Sequence, residues 1–432
     1  MASNNQALVL SSDFKYVLDK LEDSEDSLFI TGRAGTGKST LLQTFRRQTR
    51  KKCVVLAPTG IAALNVGGQT IHSFFGFPPR MLNPQDITKR RNHRLYKKLE
   101  LIIIDEISMV RADMLDNIDR FLRINRDNPK PFGGVQVAFF GDLFQLPPVV
   151  RKDADQLSFQ LMYNTPYFFS SNVIQNGFQL EMVELQKVYR QEQTHFLDLL
   201  ESVRMNRIDY DTLEALNEQF DPNFQTTDNY INLTARNARA DHINLAELGK
   251  LAGKPQVYQA KIEGEFKSSL FPTEQLLPLK VDAQVMFLRN DPEGAYVNGT
   301  IGKVVELKPD VVYVEVNENN KKRTIKATPI DWEIIRYKTP SNPSDQIETN
   351  VIGTFTQMPL RLAWAVTIHK SQGKTFDKVI IDLGKGGAFE HGQTYVALSR
   401  CRTLEGIILK QRLRPSDIKT DQTIVDYYQK QI

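Results

Sequence analysis

The segment ITGRAGTGKSTLL (residues 30–42) constrains this chain more than any other. It sets Gly32, Gly35, Gly37, Lys38 and Ser39 in the spacing G-x-x-x-x-G-K-S. That spacing works as a turn between a strand and a helix, because the glycines let backbone close around a phosphate and the helix N-terminus adds its N–H groups. Lys38 then reaches the β/γ-phosphates and the Ser39 hydroxyl suits Mg²⁺. A plain glycine-rich turn is the alternative.

The flanking residues supply the expected context. A helical stretch at 14–21 leads into SLFITG, and a helix is expected over 39–48. Three further apolar runs follow: CVVLAPT (53–59), LIIIDE (101–106) and VQVAFFGD (135–142). Near-continuous apolar strands alternating with helical segments imply a parallel sheet covered on both faces. Residues 229–248 and 378–383 read as a second α/β lobe. Between them, residues 290–357 alternate with period two and break at Gly, Asn and Asp, which predicts a small inserted barrel or sandwich. A length of 432 residues accommodates these units.

Composition narrows the setting. With 41% hydrophobic and 25% charged residues, disorder is not indicated. Cys53 and Cys401 form neither a disulfide framework nor a paired metal motif, so a reducing compartment is expected. The start MASNNQALVL lacks signal-peptide character, and no run approaches the roughly eighteen apolar residues of a membrane span. A cytoplasmic protein is expected, with no membrane partner. The net charge of +4 is concentrated at RRQTRKK (46–52) and KRRNHRLYKK (89–98), which are solvated faces or polyanion contacts.

Catalytic candidates cluster around strand ends. Asp105 can hold Mg²⁺, and Glu106 can orient and deprotonate an attacking water, although such a pair also serves as a helix cap. Gln145 in GDLFQLPPV could sense a γ-phosphate or be a surface loop residue. Gated hydrolysis also needs a cation for the developing charge, and Arg190, Arg400 and Arg402 are the candidates.

Taken in order, these motifs resemble the superfamily-one DNA helicases, most closely their PIF-type branch (the petite-integration-frequency helicases). The matching stretches are GRAGTGKS, LAPTGIAA, GQTIHSFF, IIIDEISMV, GDLFQLPPV, VYRQ, AVTIHKSQGKTFDKV and YVALSRCRTLEGI, spread over nearly the whole chain. Residues 116–136 look like the segment that marks this branch, an ordinary helix and loop being the alternative.

The resemblance implies an α/β fold of two RecA-like P-loop NTPase lobes with ATP between them. Lobe one would comprise residues 1–63 and 98–185, with a wedge insertion at 64–97. Lobe two would comprise 186–289 and 358–432, with an SH3-like β subdomain at 290–357. It further implies an ATP- and Mg²⁺-dependent DNA helicase moving 5′ to 3′ on single-stranded DNA. Such enzymes open tailed and forked duplexes, RNA–DNA hybrids and G-quadruplexes in replication, repair, recombination or genome maintenance.

By the same resemblance, Gly32, Gly35, Thr36, Gly37, Lys38, Ser39, Thr40, Gly373 and Lys374 bind the nucleotide. Tyr189 stacks on adenine and Gln6 reads its edge, while LSSDF (10–14) lacks the glutamine that some relatives place there. Catalysis falls to Lys38, Asp105, Glu106, Gln145, Arg190 and Arg400. DNA contacts fall to Pro58, Thr59, Gly60, His72 and Ser73 on lobe one, and to Thr234, Asn237, Thr367, His369 and Lys370 on lobe two. Phe74, Phe75 and Phe77 supply a stacking face or fill a small core.

A monomer is expected, because one chain holds both halves of the ATP site, and so is the lack of a nuclease domain after the last motif. Two other readings stay open: a nucleotide-gated single-strand-binding ATPase, and an RNA helicase whose phosphate contacts ignore the sugar.

Overall fold

A computed structural model describes residues 11–431 except 79, 151–158, 192, 226–228, 319–320, 343–344 and 385. Gln6 lies outside the described residues. The apolar runs become a six-stranded sheet of β1 (Leu28–Gly32), β2 (Cys53–Ala57), β3 (Gln69–Thr70), β4 (Leu101–Ile104), β5 (Gln136–Phe140) and β6 (Glu181–Leu185). Its order is β3-β2-β4-β5-β1-β6 and every pairing is parallel. β1, β4 and β5 are buried along their whole length, which explains their unbroken hydrophobicity. The strands stop short of the apolar runs, leaving Pro58, Asp105 and Asp142 in loops at the carboxyl edge, where open α/β sheets bind ligands. Half-exposed β6, EMVEL, carries two glutamates and no unbroken apolar run.

The second lobe has a four-stranded parallel sheet in the order Ala365–Thr367, Ile231–Thr234, Val379–Asp382, Ile407–Leu409. The strand-to-helix unit expected at 229–248 is Ile231–Thr234 followed by the helix Asn237–Lys250. The β-rich interval forms an antiparallel sheet of Ile301–Lys308, Val311–Glu318 and Lys321–Ala327, extended beyond Ile301–Lys308 by Gln284–Phe287 and then Leu360–Leu362. Val304, Val312, Val314 and Val316 fill its core at period two.

A second antiparallel sheet joins Ile330–Lys338, Glu348–Gln357 and Lys261–Gly264. From its first strand, Tyr337 enters the edge of the first lobe. Its hydroxyl accepts from Val55 N at 3.0 Å and donates to Val55 O at 3.3 Å, while its own N–H donates to Gln69 Oε1 at 3.2 Å.

The segment after residue 64 packs onto the helix Ala112–Arg126. Phe121 of that helix lies 5.1 Å from Phe75, 5.7 Å from Phe77 and 4.8 Å from Tyr96, ring centre to ring centre. Fully buried Asn125 accepts from Arg90 N at 2.8 Å and donates to Thr88 O at 3.3 Å. Arg126 donates to the carbonyls of Tyr96 and Leu99. Phe121, Asn125 and Arg126 therefore fasten residues 75–99 to this helix. Among the described residues, no helix is long and apolar enough to cross a membrane.

Candidate functional site

The loop after β1 and the helix Lys38–Gln48 form one wall of a cleft between the lobes. That helix is capped by Gly37, which has φ +86° and no side chain, so its first N–H groups face an opening rather than a capping oxygen. Gly35 has φ +90°, and a Cβ there would stand 2.6 Å from Arg190 Cβ, so only glycine admits this approach of the second lobe. Tyr189 N donates to Gly35 O at 2.9 Å.

Around a cavity of about 470 Å³ stand Gly35, Gly37, Lys38, Ser39, Thr40, Glu106 and Gln145 from lobe one. Tyr189, Arg190, Gly373, Arg400 and Arg402 face them. Gly32, Thr36, Asp105 and Lys374 do not line it. Thr36 is fully buried, with its hydroxyl on Arg33 O at 2.9 Å.

The cations are short of partners that match them. Lys38 Nζ rests on Gly32 O at 2.6 Å and Arg33 O at 3.2 Å, and burial lowers its pKa. Burial, reinforced by the neighbouring Arg400, pushes Arg190 well below its ordinary value. Arg400, 1% exposed, is lowered to about 10 by burial, and it donates to Val396 O at 2.9 Å and Ser399 Oγ at 2.8 Å. Lys374 is lowered to about 8 by burial, with Arg361, Arg400 and Lys370 adding to the shift.

Two adjacent carboxyls follow β4. Burial and the adjacent Glu106 raise Asp105 to about 7, and burial also raises Glu106. Glu106 adopts φ 52°, ψ 46°, a left-handed conformation unusual for a residue with a side chain and characteristic of functional sites. Desolvated cations on two facing walls suit a polyanion that restores their preferred charge state. Ser39 and Asp105 offer the hard oxygens that Mg²⁺ takes in small number from protein.

Comparison with known proteins gives the family and the fold. Residues 3–213 match the family described as PIF1-like helicase. The ATP-dependent DNA helicase Pif1 of Bdellovibrio bacteriovorus is 33% identical, over 97% of this chain and 91% of that protein. A Pif1 crystal structure from Bacteroides sp in complex with ADP-AlF4 superposes with a TM-score of 0.90 at 39% identity, covering 98% of this chain and 97% of that one. The chain belongs to the PIF1-like helicase family. Its two parallel-sheet lobes are the RecA-like pair of that fold. A Bacteroides Pif1 structure bound to single-stranded DNA has the same 39% identity and the same coverage, 98% and 97%, but a TM-score of 0.69.

In this PIF1-like helicase a second cavity, about 340 Å³, lies beyond the ends of β2 and β4. Pro58, Thr59 and His72 line it together with Met109 and Arg111. Thr59 also caps the helix Gly60–Asn65 by accepting from Ala62 N at 3.2 Å, and Ser73 accepts from Gln69 at 2.8 Å. On lobe two, Thr234 and Thr367 are register partners on adjacent strands. Both are buried: Thr234 donates to Arg236 O at 3.2 Å, and Thr367 accepts from Lys370 N at 3.3 Å. Their hydroxyls are used in shaping the loops that carry Asn237, His369 and Lys370. His369 Nε2 lies 3.0 Å from Glu390.

The structure corrects the placement of Phe74 and Phe77 on a DNA-stacking face. They are 6% and 7% exposed, and Phe75 is fully buried. Their rings meet one another, Tyr96 and Phe121 edge-on or stacked, so a base could reach them only by opening that core.

Two residues at or near the cleft escaped the sequence reading. Phe14 lines the nucleotide cavity and sits 6.3 Å from Tyr189, ring to ring. Arg204, 1% exposed, lies with its guanidinium 4.3 Å from the Phe144 ring and 5.0 Å from that of Tyr428, near Asp142, Glu184 and Glu201. Its only sequence signal is a charge on the apolar stripe of Phe196, Leu200 and Val203.

Proposed function

We propose that this chain is an ATP-dependent DNA helicase that moves 5′ to 3′ along single-stranded DNA. Its proposed substrates are tailed and forked duplexes, RNA–DNA hybrids and G-quadruplexes, and its setting is cytoplasmic maintenance of DNA by a monomer. The observation that carries this reading is the cation set Lys38, Arg190 and Arg400, drawn from both lobes around one cavity with Glu106 and Gln145. An ATPase whose site is completed by a second lobe couples hydrolysis to lobe motion.

In the proposed roles, the backbone after Gly35 and Lys38 hold the phosphates and Tyr189 lies against the adenine. Glu106 takes the proton of the attacking water, Gln145 senses the terminal phosphate, and Arg190 and Arg400 meet the developing charge. Ser39 and Asp105 would hold Mg²⁺, which would supply Lewis-acid stabilisation of the phosphoryl oxygens when bound. The strand runs past Pro58, Thr59, Gly60, His72 and Ser73 on one lobe and Asn237, His369 and Lys370 on the other, contacting phosphates rather than base edges. The single-stranded DNA bound to the Bacteroides relative supports this choice of polymer. The polarity rests on family membership. Residues 64–97 are proposed as the wedge at the duplex junction and 290–357 as an SH3-like subdomain.

The test is ATP-driven opening of one duplex bearing either a 5′ or a 3′ single-stranded tail, with Lys38→Ala as control. Opening of the 5′-tailed form alone, lost in the control, is the expected result. Brisk DNA-stimulated hydrolysis with neither form opened would make the chain a DNA-gated ATPase instead.

A further inference from the structure

Tyr395 is the second tyrosine of the cleft and has no role in the reading above. It lies in the helix Gln393–Leu398, five residues before Arg400, and is 3% exposed. Its hydroxyl accepts from Ala34 N at 3.1 Å, inside the phosphate loop and immediately before Gly35. The same hydroxyl donates to Asp142 Oδ2 at 3.4 Å. That carboxylate oxygen also accepts from Gln145 Nε2 at 3.2 Å, and Gln372 of lobe two donates to Gln145 Oε1 at 3.4 Å. On its other oxygen Asp142 faces the buried guanidinium of Arg204 at 3.7 Å.

One phenolic oxygen thus joins three parts of the machinery: the loop bearing Lys38, the loop bearing Gln145 and the lobe-two helix that delivers Arg400. A buried backbone N–H needs an acceptor, and Ala34 has this one from the opposite lobe. Burial and the nearby Asp142 carboxylate push the Tyr395 pKa upward, so the group remains a hydroxyl that donates and accepts at once.

We propose that Tyr395 is a positioning residue for ATP hydrolysis, whose hydroxyl registers the lobe-two arginine helix against the phosphate loop and the Asp142–Gln145 pair. The inference rests on the ATPase reading of this cleft. With the hydroxyl in place, Arg400 and Gln145 reach the terminal phosphate in a fixed relation. Without it, the ring still fills its space while that relation relaxes, so nucleotide binding survives better than turnover.

The experiment is steady-state, DNA-stimulated ATP hydrolysis by full-length Tyr395→Phe, Asp142→Asn and the double variant, with thermal unfolding of each. Tyr395→Phe is expected to lower kcat about tenfold, a typical consequence of one lost positioning hydrogen bond, with KM for ATP changed less than about twofold and the unfolding midpoint nearly unmoved. The double variant is expected to lose less than the product of the two single losses, because Asp142→Asn weakens the acceptor that the Tyr395 hydroxyl uses. A kcat for Tyr395→Phe within about twofold of wild type overturns the proposal, as do multiplicative losses in the double variant. A wild-type protein that hydrolyses no ATP refutes the ATPase reading as well, whereas a silent Tyr395→Phe on an active wild type refutes only this inference.

Discussion

Gly392→Ala tests the contact between the lobes at a single methyl group. Gly392 caps the helix Gln393–Leu398 with φ +72°. A Cβ there would stand 2.5 Å from Phe144 O and 2.8 Å from Gln145 C, and closer still to Gln145 O. These are backbone atoms of the opposite lobe's loop, so no rotamer change relieves the overlap. Restoring an ordinary C···O approach of about 3.3 Å requires the helix and the loop to part by roughly 1 Å. The left-handed backbone adds about 1–2 kcal/mol of local strain. Because a 1 Å misplacement of catalytic groups costs on the order of 100-fold, kcat for DNA-stimulated hydrolysis should fall about two orders of magnitude. Gly253→Ala is the control: its φ of +79° imposes the same backbone strain, yet a Cβ there meets nothing within 4 Å. Both variants should unfold a few degrees below wild type, and only Gly392→Ala should lose turnover. Equal turnover in the two variants would refute the argument, since it would mean that hydrolysis does not pass through this closed contact.

Phe121→Ala should destabilise the first lobe by about 3–5 kcal/mol in chemical denaturation. It should also open residues 64–97 to limited proteolysis, because that ring is the hub on which Phe75, Phe77 and Tyr96 converge. Asp105→Asn should raise the Mg²⁺ concentration needed for half-maximal hydrolysis at least about tenfold while leaving the unfolding midpoint near wild type, as metal-ligand replacement does. Asp127 is held down to about 2 by hydrogen bonds from Lys89 and Lys97, below its ordinary value of 3.8. Its contribution is therefore full above the unfolded carboxylate range and lost as pH falls toward 2, and Asp127→Asn should remove that part of the acid sensitivity, read by proteolysis of the insertion between pH 5 and 2.

What the sequence disclosed and what it hid follow one physical division. The loop at 32–39, the pair Asp105 and Glu106, and Gln145 were legible because each sits at the end of a strand buried on both faces, and such strands announce themselves as unbroken apolar runs. β6 stayed hidden because an edge strand with one exposed side needs no such run. The three phenylalanines near residue 75 were ambiguous for a related reason: an aromatic that fills a core and one that stacks on a base share a composition, and only the partner Phe121, more than forty residues away, decides between them. Arg204, Tyr395 and Gly392 were harder still. Their meaning lies in contacts across the cleft, such as Ala34 with Tyr395 at a separation of 361 residues, which no local pattern encodes. Local patterns record what each lobe must do to fold and to hold a phosphate. Residues that join one lobe to the other are specified only where the two sheets meet, and there a glycine and a hydroxyl make the contact beside the arginines.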